Sequence, residues 1–139
     1  NVEGTEARLL LMKNTAGCNQ LINMLQQEGE PPERLVCLLG AEIMDGITTD
    51  WIQAVRWERI CGPTTQVIVG GPKWEDMRDR LLRAGVSEEN VRVQRDYAAL
   101  VRDLAAIQEP VTVIANCSTI EALRLELVKE YQPVDYWSD

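Results

Sequence analysis

Residues 66–85 have the sequence QVIVGGPKWEDMRDRLLRAG, and this stretch decides the fold. Gln66 to Val69 predicts a short buried strand, and the Gly70-Gly71-Pro72 run that follows predicts a turn. The charged segment Lys73 to Ala84 predicts a helix that starts near Pro72 and ends at Gly85, its C-terminal cap. A strand followed directly by a helix is the building unit of parallel α/β folds.

The same alternation continues on both sides of this stretch. Further strands are predicted at residues 9–12, 35–39, 91–93 and 111–115. Helices are predicted from Cys18 and from an Asp96 N-cap. A last helix is predicted to start at Ser118 or Cys117, to bury Ile120, Leu123, Leu127 and Val128, and to have a capping box between Ser118 and Glu121. The apolar spacing in residues 51–57 predicts another short helix. The chain is therefore predicted to be an α/β, three-layer Rossmann-like domain with a mostly parallel sheet.

The composition limits the possible classes of function. Residues 1–139 fit a single domain, and the net charge of -8 would repel nucleic acid. No apolar run approaches the roughly 20 residues that a membrane span needs, and no signal peptide opens the chain, so a cytoplasmic location is expected. Because the chain begins at Asn1 without Met, we expect a fragment of a larger protein, with a frayed end at Pro133 to Asp139.

The chain has four cysteines and no histidine, which restricts its chemistry. The cysteines are widely spaced, so no metal site is expected, and buried thiols in a reducing compartment are the simpler interpretation. Without histidine, the chain cannot complete a Ser/His/Asp or Cys/His catalytic device by itself. Any such catalysis requires another domain or subunit.

Ligands of parallel sheets bind at the carboxyl edge of the strands, so function is sought in the loops that lie there. Lys13, Asn14 and Gly17 place one cation and a flexible backbone before a helix N-terminus, which could hold a carboxylate or a phosphate. Gly70 and Gly71 allow the same interpretation. For all three glycines, tight packing is the alternative, because neither a GxGxxG nor a GxxxxGK[ST] motif is present.

The loop at residues 40–50 is acidic. Glu42, Asp45 and Asp50 could be solvated loop carboxylates, or they could orient a histidine or a cationic substrate supplied from elsewhere. The sequence leaves both interpretations open.

Several of these motifs resemble, in order, the C-terminal domain of the MurT family. Residues 13–20, KNTAGCNQ, resemble the family's KNPAGxNE/Q, and residues 69–85 resemble SGxRxxDMxxRLxxAG. Residues 38–52 stand where the family has LNDNxADGxDVSWI, and residues 115–124 resemble PTYTAMLxLR. Asp45, Gly46 and Trp51 match the acidic motif, whereas Ala41 and Thr48 occupy family aspartate positions and Asp50 occupies the serine position.

This resemblance implies a Mur ligase C-terminal type of domain in a subunit that amidates lipid II during peptidoglycan synthesis. In such proteins, ATP and Mg activate the D-glutamate α-carboxylate, and a GatD-type glutaminase supplies ammonia. The ATP-binding loop and a zinc ribbon lie in a central domain, so no cofactor is expected within residues 1–139. An aspartate of the acidic loop is thought to complete the Cys/His pair of the glutaminase. By the resemblance this is Asp45, expected to be reachable by solvent, with Asp50 as the second choice.

Two other interpretations remain open. The chain could be a Mur-ligase-like docking domain that has lost the glutaminase-coupled role, since two loop acids are replaced. It could also be an unrelated Rossmann-like module, although the missing phosphate loop argues against that.

Overall fold

The computed structural model describes residues 2–131, and these form a three-layer α/β domain. The strands are β1 (Ala7–Leu11), β2 (Arg34–Leu38), β3 (Gln66–Gly70), β4 (Val91–Val93) and β5 (Val111–Ala115). They form one sheet in the order β1-β5-β2-β3-β4, and each neighbouring pair is parallel. The α-helices are α1 (Thr15–Gln27), α2 (Trp74–Arg83), α3 (Tyr97–Ile107) and α4 (Cys117–Tyr131). The predicted fold class is confirmed, whereas the expectation for Pro133 to Asp139 lies outside the described residues.

Helices cover both faces of the sheet. On one face, buried side chains of α1 and α2, such as Ile22 and Leu81, pack in one core cluster with Cys37 and Val69. On the other face, α3 and α4 pack through a second cluster that includes Leu104. Because strands β2 and β5 lie in the middle of the sheet, they are buried almost throughout.

Local sequence signals set several helix ends as predicted. The Asp96 side chain accepts hydrogen bonds from the backbone N–H groups of Ala98 (2.9 Å) and Ala99 (3.2 Å), which makes it the N-cap of α3. Gly85 follows α2 with φ of +107°, a left-handed conformation that glycine adopts without strain. These two predictions are confirmed.

The short helix predicted at residues 51–57 is confirmed only in part, because the helical segment is shorter than predicted and is a 3-10 helix. Two short 3-10 segments, η2 (Asp50–Ala54) and η3 (Trp57–Arg59), occupy this region. They are separated by Val55, whose backbone is extended with φ of -75° and ψ of 138°. The indole N–H of Trp57 donates to the carbonyl of Ile52 at 3.1 Å, so tertiary packing of buried side chains determines the local backbone.

Three details of the other elements also differ from the prediction. Strand β1 spans Ala7–Leu11, so it starts and ends earlier than residues 9–12. The capping box of Ser118 with Glu121 is wrong, because the backbone N–H and the hydroxyl of Ser118 both donate to Asp45. Val128 is 53% exposed and so is not part of the core, whereas Ile120 and Leu123 are buried as predicted.

Within residues 2–131, each helix is too short or too polar to span a bilayer.

Candidate functional site

Four loops are predicted from the sequence to line the carboxyl edge of the sheet, at residues 13–17, 40–50, 70–72 and 115–118. They do lie at this edge, because all five strands run in the same direction. The chain leaves β1 and β2 toward the face that α1 covers, and it leaves β5 toward the face that α4 covers. Since β5 lies between β1 and β2, the connections diverge around its end, which is where such sheets place ligands. We call this edge the rim.

The loops after β2 and β5 are joined by the amide of Asn116. Its Oδ1 accepts from the N–H of Gly40 at 3.1 Å, and its Nδ2 donates to the Gly40 carbonyl at 2.7 Å. The Thr119 hydroxyl donates toward the Leu38 carbonyl (3.2 Å) and Asn116 Oδ1 (2.8 Å). Asn116 and Thr119 are each 1% exposed, so they hold the rim together rather than contact a ligand. Sequence reasoning missed both, and a polar residue directly after a buried strand is the signal that could have indicated Asn116.

Asp45 is a buried carboxylate at the centre of this arrangement. It ends a short 3-10 segment, η1 (Ile43–Asp45), and is 7% exposed. Its Oδ1 accepts from the N–H of Ser118 at 2.9 Å, and its Oδ2 accepts from the Ser118 hydroxyl and from the N–H of Glu42, the latter at 3.0 Å. A negative charge at the N-terminal end of α4 is favourable, because the helix dipole is positive there. The expectation that Asp45 is reachable by solvent is therefore wrong.

Asp50 differs from Asp45 in both exposure and contacts. It is exposed at the start of η2, and its carboxylate makes no hydrogen bond or ion pair with another described residue. Its neighbours are held in place: the Thr49 hydroxyl donates to Asp76 at 2.7 Å, and the Thr15 hydroxyl donates to the Trp51 carbonyl at 2.8 Å. The rim therefore presents a free carboxylate on an anchored segment.

In the loop after β1, Asn14 and Gly17 are already engaged. Asn14 is the N-cap of α1, and its Oδ1 accepts from the Gly17 N–H at 2.8 Å. Lys13 is exposed and forms no ion pair with the described residues. The ammonium of Lys13 and the Nδ2 of Asn14, which is not used by the cap, remain the polar groups that could meet an anion.

Close packing accounts for Gly70 and Gly71, both of which are buried. A Cβ on Gly71 would lie 2.4 Å from the Leu39 carbonyl oxygen, and its φ of +86° also favours glycine. A Cβ on Gly70 would lie 2.5 Å from the Gln94 carbonyl oxygen. These glycines let the loop after β3 pack directly against the backbone of Leu39, which follows β2, and the backbone of Gln94, which follows β4.

Tyr97, at the start of α3, lies near the buried carboxylate. Burial raises the pKa of the Tyr97 hydroxyl, and the negative charge of Asp45 raises this pKa further. The phenol is therefore protonated at neutral pH and can donate a hydrogen bond. From the sequence, Tyr97 is predicted only to lie among the apolar residues of the helix that follows Asp96.

The thiols in the core are unreactive. Burial raises the pKa of Cys18 to about 12 and that of Cys61 to about 11, and it raises the pKa of Cys37 well above the ordinary value. A neutral buried thiol is a poor nucleophile and a poor metal ligand. Among residues 2–131, no group of three or more His, Cys, Asp or Glu residues could hold a metal ion.

A groove of about 420 Å³ lies at the opposite, amino edge of the sheet. Its arginines are already paired: Arg34 with Glu109 at 3.1 Å and Arg92 with Asp103 at 2.9 Å. Glu89, which also lines the groove, is exposed, so the groove offers a ligand a carboxylate but no unpaired arginine. The rim remains the better candidate site because parallel sheets bind ligands at the carboxyl edge of their strands.

Comparison with known families gives one match. The model of the MurT ligase C-terminal family matches residues 11–120. The matched region runs from the last residue of β1 into the first turn of α4, so it includes the four rim loops. No curated protein matches the chain.

Proposed function

The chain belongs to the MurT ligase C-terminal family, and from this membership we propose that it works in amidation of a peptidoglycan precursor. The substrate is lipid II, whose D-glutamate α-carboxylate becomes an amide, and the nitrogen comes from a GatD-type glutaminase that docks on this domain. The observation that carries the proposal is the family match over residues 11–120, which includes the whole rim.

This domain does not hold the ATP and magnesium of the reaction. The loop after β1 lacks a phosphate-binding motif, and the N–H of Gly17 is used by the Asn14 cap. The described residues 2–131 also contain no cluster suited to a metal ion. ATP would supply the phosphoryl group that activates the carboxylate, on residues outside this chain. Lys13, an exposed cation of the rim, would contact the anionic precursor.

Asp50 is the carboxylate that completes the glutaminase site. A donated aspartate holds a catalytic histidine in the productive tautomer and orientation, so it must be accessible and free of other partners. Asp50 meets both conditions, whereas both oxygens of Asp45 accept hydrogen bonds within the domain. Asp45 then acts as a positioning residue that fixes the loop against α4.

A second candidate function is a docking domain without a glutaminase-coupled role. Ala41 and Thr48 stand where the family resemblance has aspartates, and Asp45 is already engaged, which favours this alternative. The two functions differ in whether the acidic loop is needed for glutamine hydrolysis.

The test is reconstitution of the full-length protein with its candidate glutaminase. Lipid II is incubated with ATP and either glutamine or ammonium, and the amidated product is measured by mass spectrometry. Our proposal predicts amidation with both nitrogen sources. Amidation with ammonium alone, by a complex that still assembles, would support the docking-domain alternative. No amidation with either source would contradict the proposed function.

A further inference from the structure

Three large apolar side chains are exposed close together in the loop after β2. Ile43, Met44 and Ile47 are 86%, 57% and 62% exposed. The other exposed large apolar residues are distributed over β1, β4 and α4: Leu11, Val93, Leu125 and Val128. A concentration of exposed apolar surface, bordered by polar residues, is typical of protein interaction sites.

The loop that carries these side chains is fixed from within. The N–H groups of Asp45 and Ile47 both donate to the Glu42 carbonyl, at 2.9 and 3.0 Å. Asp45 ties this turn to Ser118 at the start of α4. A side chain that is already ordered loses less conformational entropy on binding, so a fixed loop favours affinity.

Ile47 has an unfavourable backbone conformation, with φ of +72°. A β-branched residue rarely adopts this left-handed region, where Asn or Gly would fit at less cost. Because the Ile47 side chain is 62% exposed, it contributes little packing within the domain to offset this strain. A contact outside the domain would give this side chain a role.

The charges of the loop indicate the chemistry of the partner. Glu42 and Asp50 are exposed, and residues 40–50 contain no Lys or Arg. Ile47 and Asp50 are three residues apart, so their Cα atoms are separated by at most about 11 Å. A partner whose histidine reaches Asp50 therefore has its surface within reach of Ile47 as well.

We infer that Ile43, Met44 and Ile47 are the apolar anchors that seat the glutaminase subunit on this loop. They enter an apolar socket bordered by basic or histidine side chains of that subunit. This inference rests on the proposed function and adds to it the residues that carry the binding energy. In most interfaces a few central side chains dominate the affinity.

The experiment is a titration of the full-length protein with its candidate glutaminase by calorimetry. Ile43→Ser and Ile47→Asn remove the apolar side chains, and Asn also tolerates the left-handed backbone at this position, so folding is preserved. Each change is expected to weaken binding by about tenfold or more. Leu125→Ser and Val128→Asn are the controls, since they remove apolar side chains of α4 that are also more than half exposed, and they should leave the affinity within about threefold.

Circular dichroism of each variant verifies that the fold is intact. If the anchor variants bind as tightly as the controls while the wild type binds and amidates lipid II, the inference is overturned and the proposed function stands. If the wild-type protein does not bind the glutaminase, the proposed function fails and the inference fails with it.

Discussion

At the scale of single residues, the main finding concerns the division of roles between two aspartates of one loop. The sequence predicted that Asp45 and Asp50 lie at the rim, because the loop follows a buried strand. It could not predict which of them is free, since that depends on Ser118, which is 73 positions away from Asp45 in the chain. Contacts over such a distance leave no periodic signal in a single sequence.

Replacement of Asp45 tests its structural role. Asp45→Asn substitutes an amide for a carboxylate that accepts three hydrogen bonds, and so leaves buried donors poorly paired. We expect a loss of about 1–3 kcal/mol in the free energy of unfolding, measured with urea. Asp50→Asn is the matched control and should change that free energy by less than about 0.5 kcal/mol. Equal unfolding midpoints for the two variants would show that Asp45 does not hold the loop.

Gly71 permits a second test of rim packing. Gly71→Ala would place a Cβ 2.4 Å from the Leu39 carbonyl oxygen at a φ of +86°. Gly85→Ala introduces a comparable positive φ of +107°, with no heavy atom within 4 Å of the new Cβ. Both variants bear the backbone strain, but Gly71→Ala alone must move a neighbouring strand end, so it should be less stable than Gly85→Ala by about 1–3 kcal/mol. Thermal unfolding that gives the two variants the same stability would contradict this.

At the scale of elements, the segment between β2 and β3 shows why one prediction was confirmed only in part. Apolar side chains at residues 51, 52, 54, 55 and 57 suit a helical face, but isolated short helices are unstable in water. The segment instead packs Ile52, Val55 and Trp57 into the core and is fixed by α2. Arg80 of α2, which is 6% exposed, donates to the Val55 carbonyl at 2.8 Å and to the Glu58 carboxylate at 3.0 Å.

This contact predicts a pH dependence of stability. The hydrogen bond from Arg80 lowers the pKa of Glu58 in the folded protein below its ordinary value. Because the pKa of Glu58 is lower in the folded than in the unfolded protein, the ion pair stabilises the fold fully at pH values above the unfolded pKa of about 4.3. This stabilisation is lost as the pH falls through the pKa that Glu58 has in the folded protein. Since the Glu58 side chain is 53% exposed, solvent screens the pair and its contribution at neutral pH is at most about 1 kcal/mol.

Urea unfolding of wild type and Glu58→Gln at a series of pH values checks this dependence. The stability difference between the two proteins should be largest near neutral pH and should shrink toward zero as the pH falls below the lowered pKa of Glu58. A difference that stays constant over this range would mean that the ion pair does not contribute.

At the scale of the whole molecule, the alternation of strands and helices was sufficient to predict the fold class. It predicted parallel strands with the candidate loops at one edge, because crossover connections leave few alternatives. It did not predict that β5 lies between β1 and β2, since the strand order depends on how the faces of α3 and α4 pack together. The candidate loops were therefore placed correctly at one edge of the sheet, while their internal hydrogen bonds had to come from the structure.

The central claim is that this domain completes a glutaminase with a free rim carboxylate, and one measurement tests it most directly. Glutamine hydrolysis is measured for the full-length complex carrying Asp50→Asn, beside ammonia-driven amidation of lipid II by the same preparation. Our account predicts that hydrolysis falls by orders of magnitude, as the loss of the orienting acid of a catalytic triad costs about 10⁴-fold, while ammonia-driven amidation persists. Near-normal glutamine turnover in the Asp50→Asn complex would contradict it.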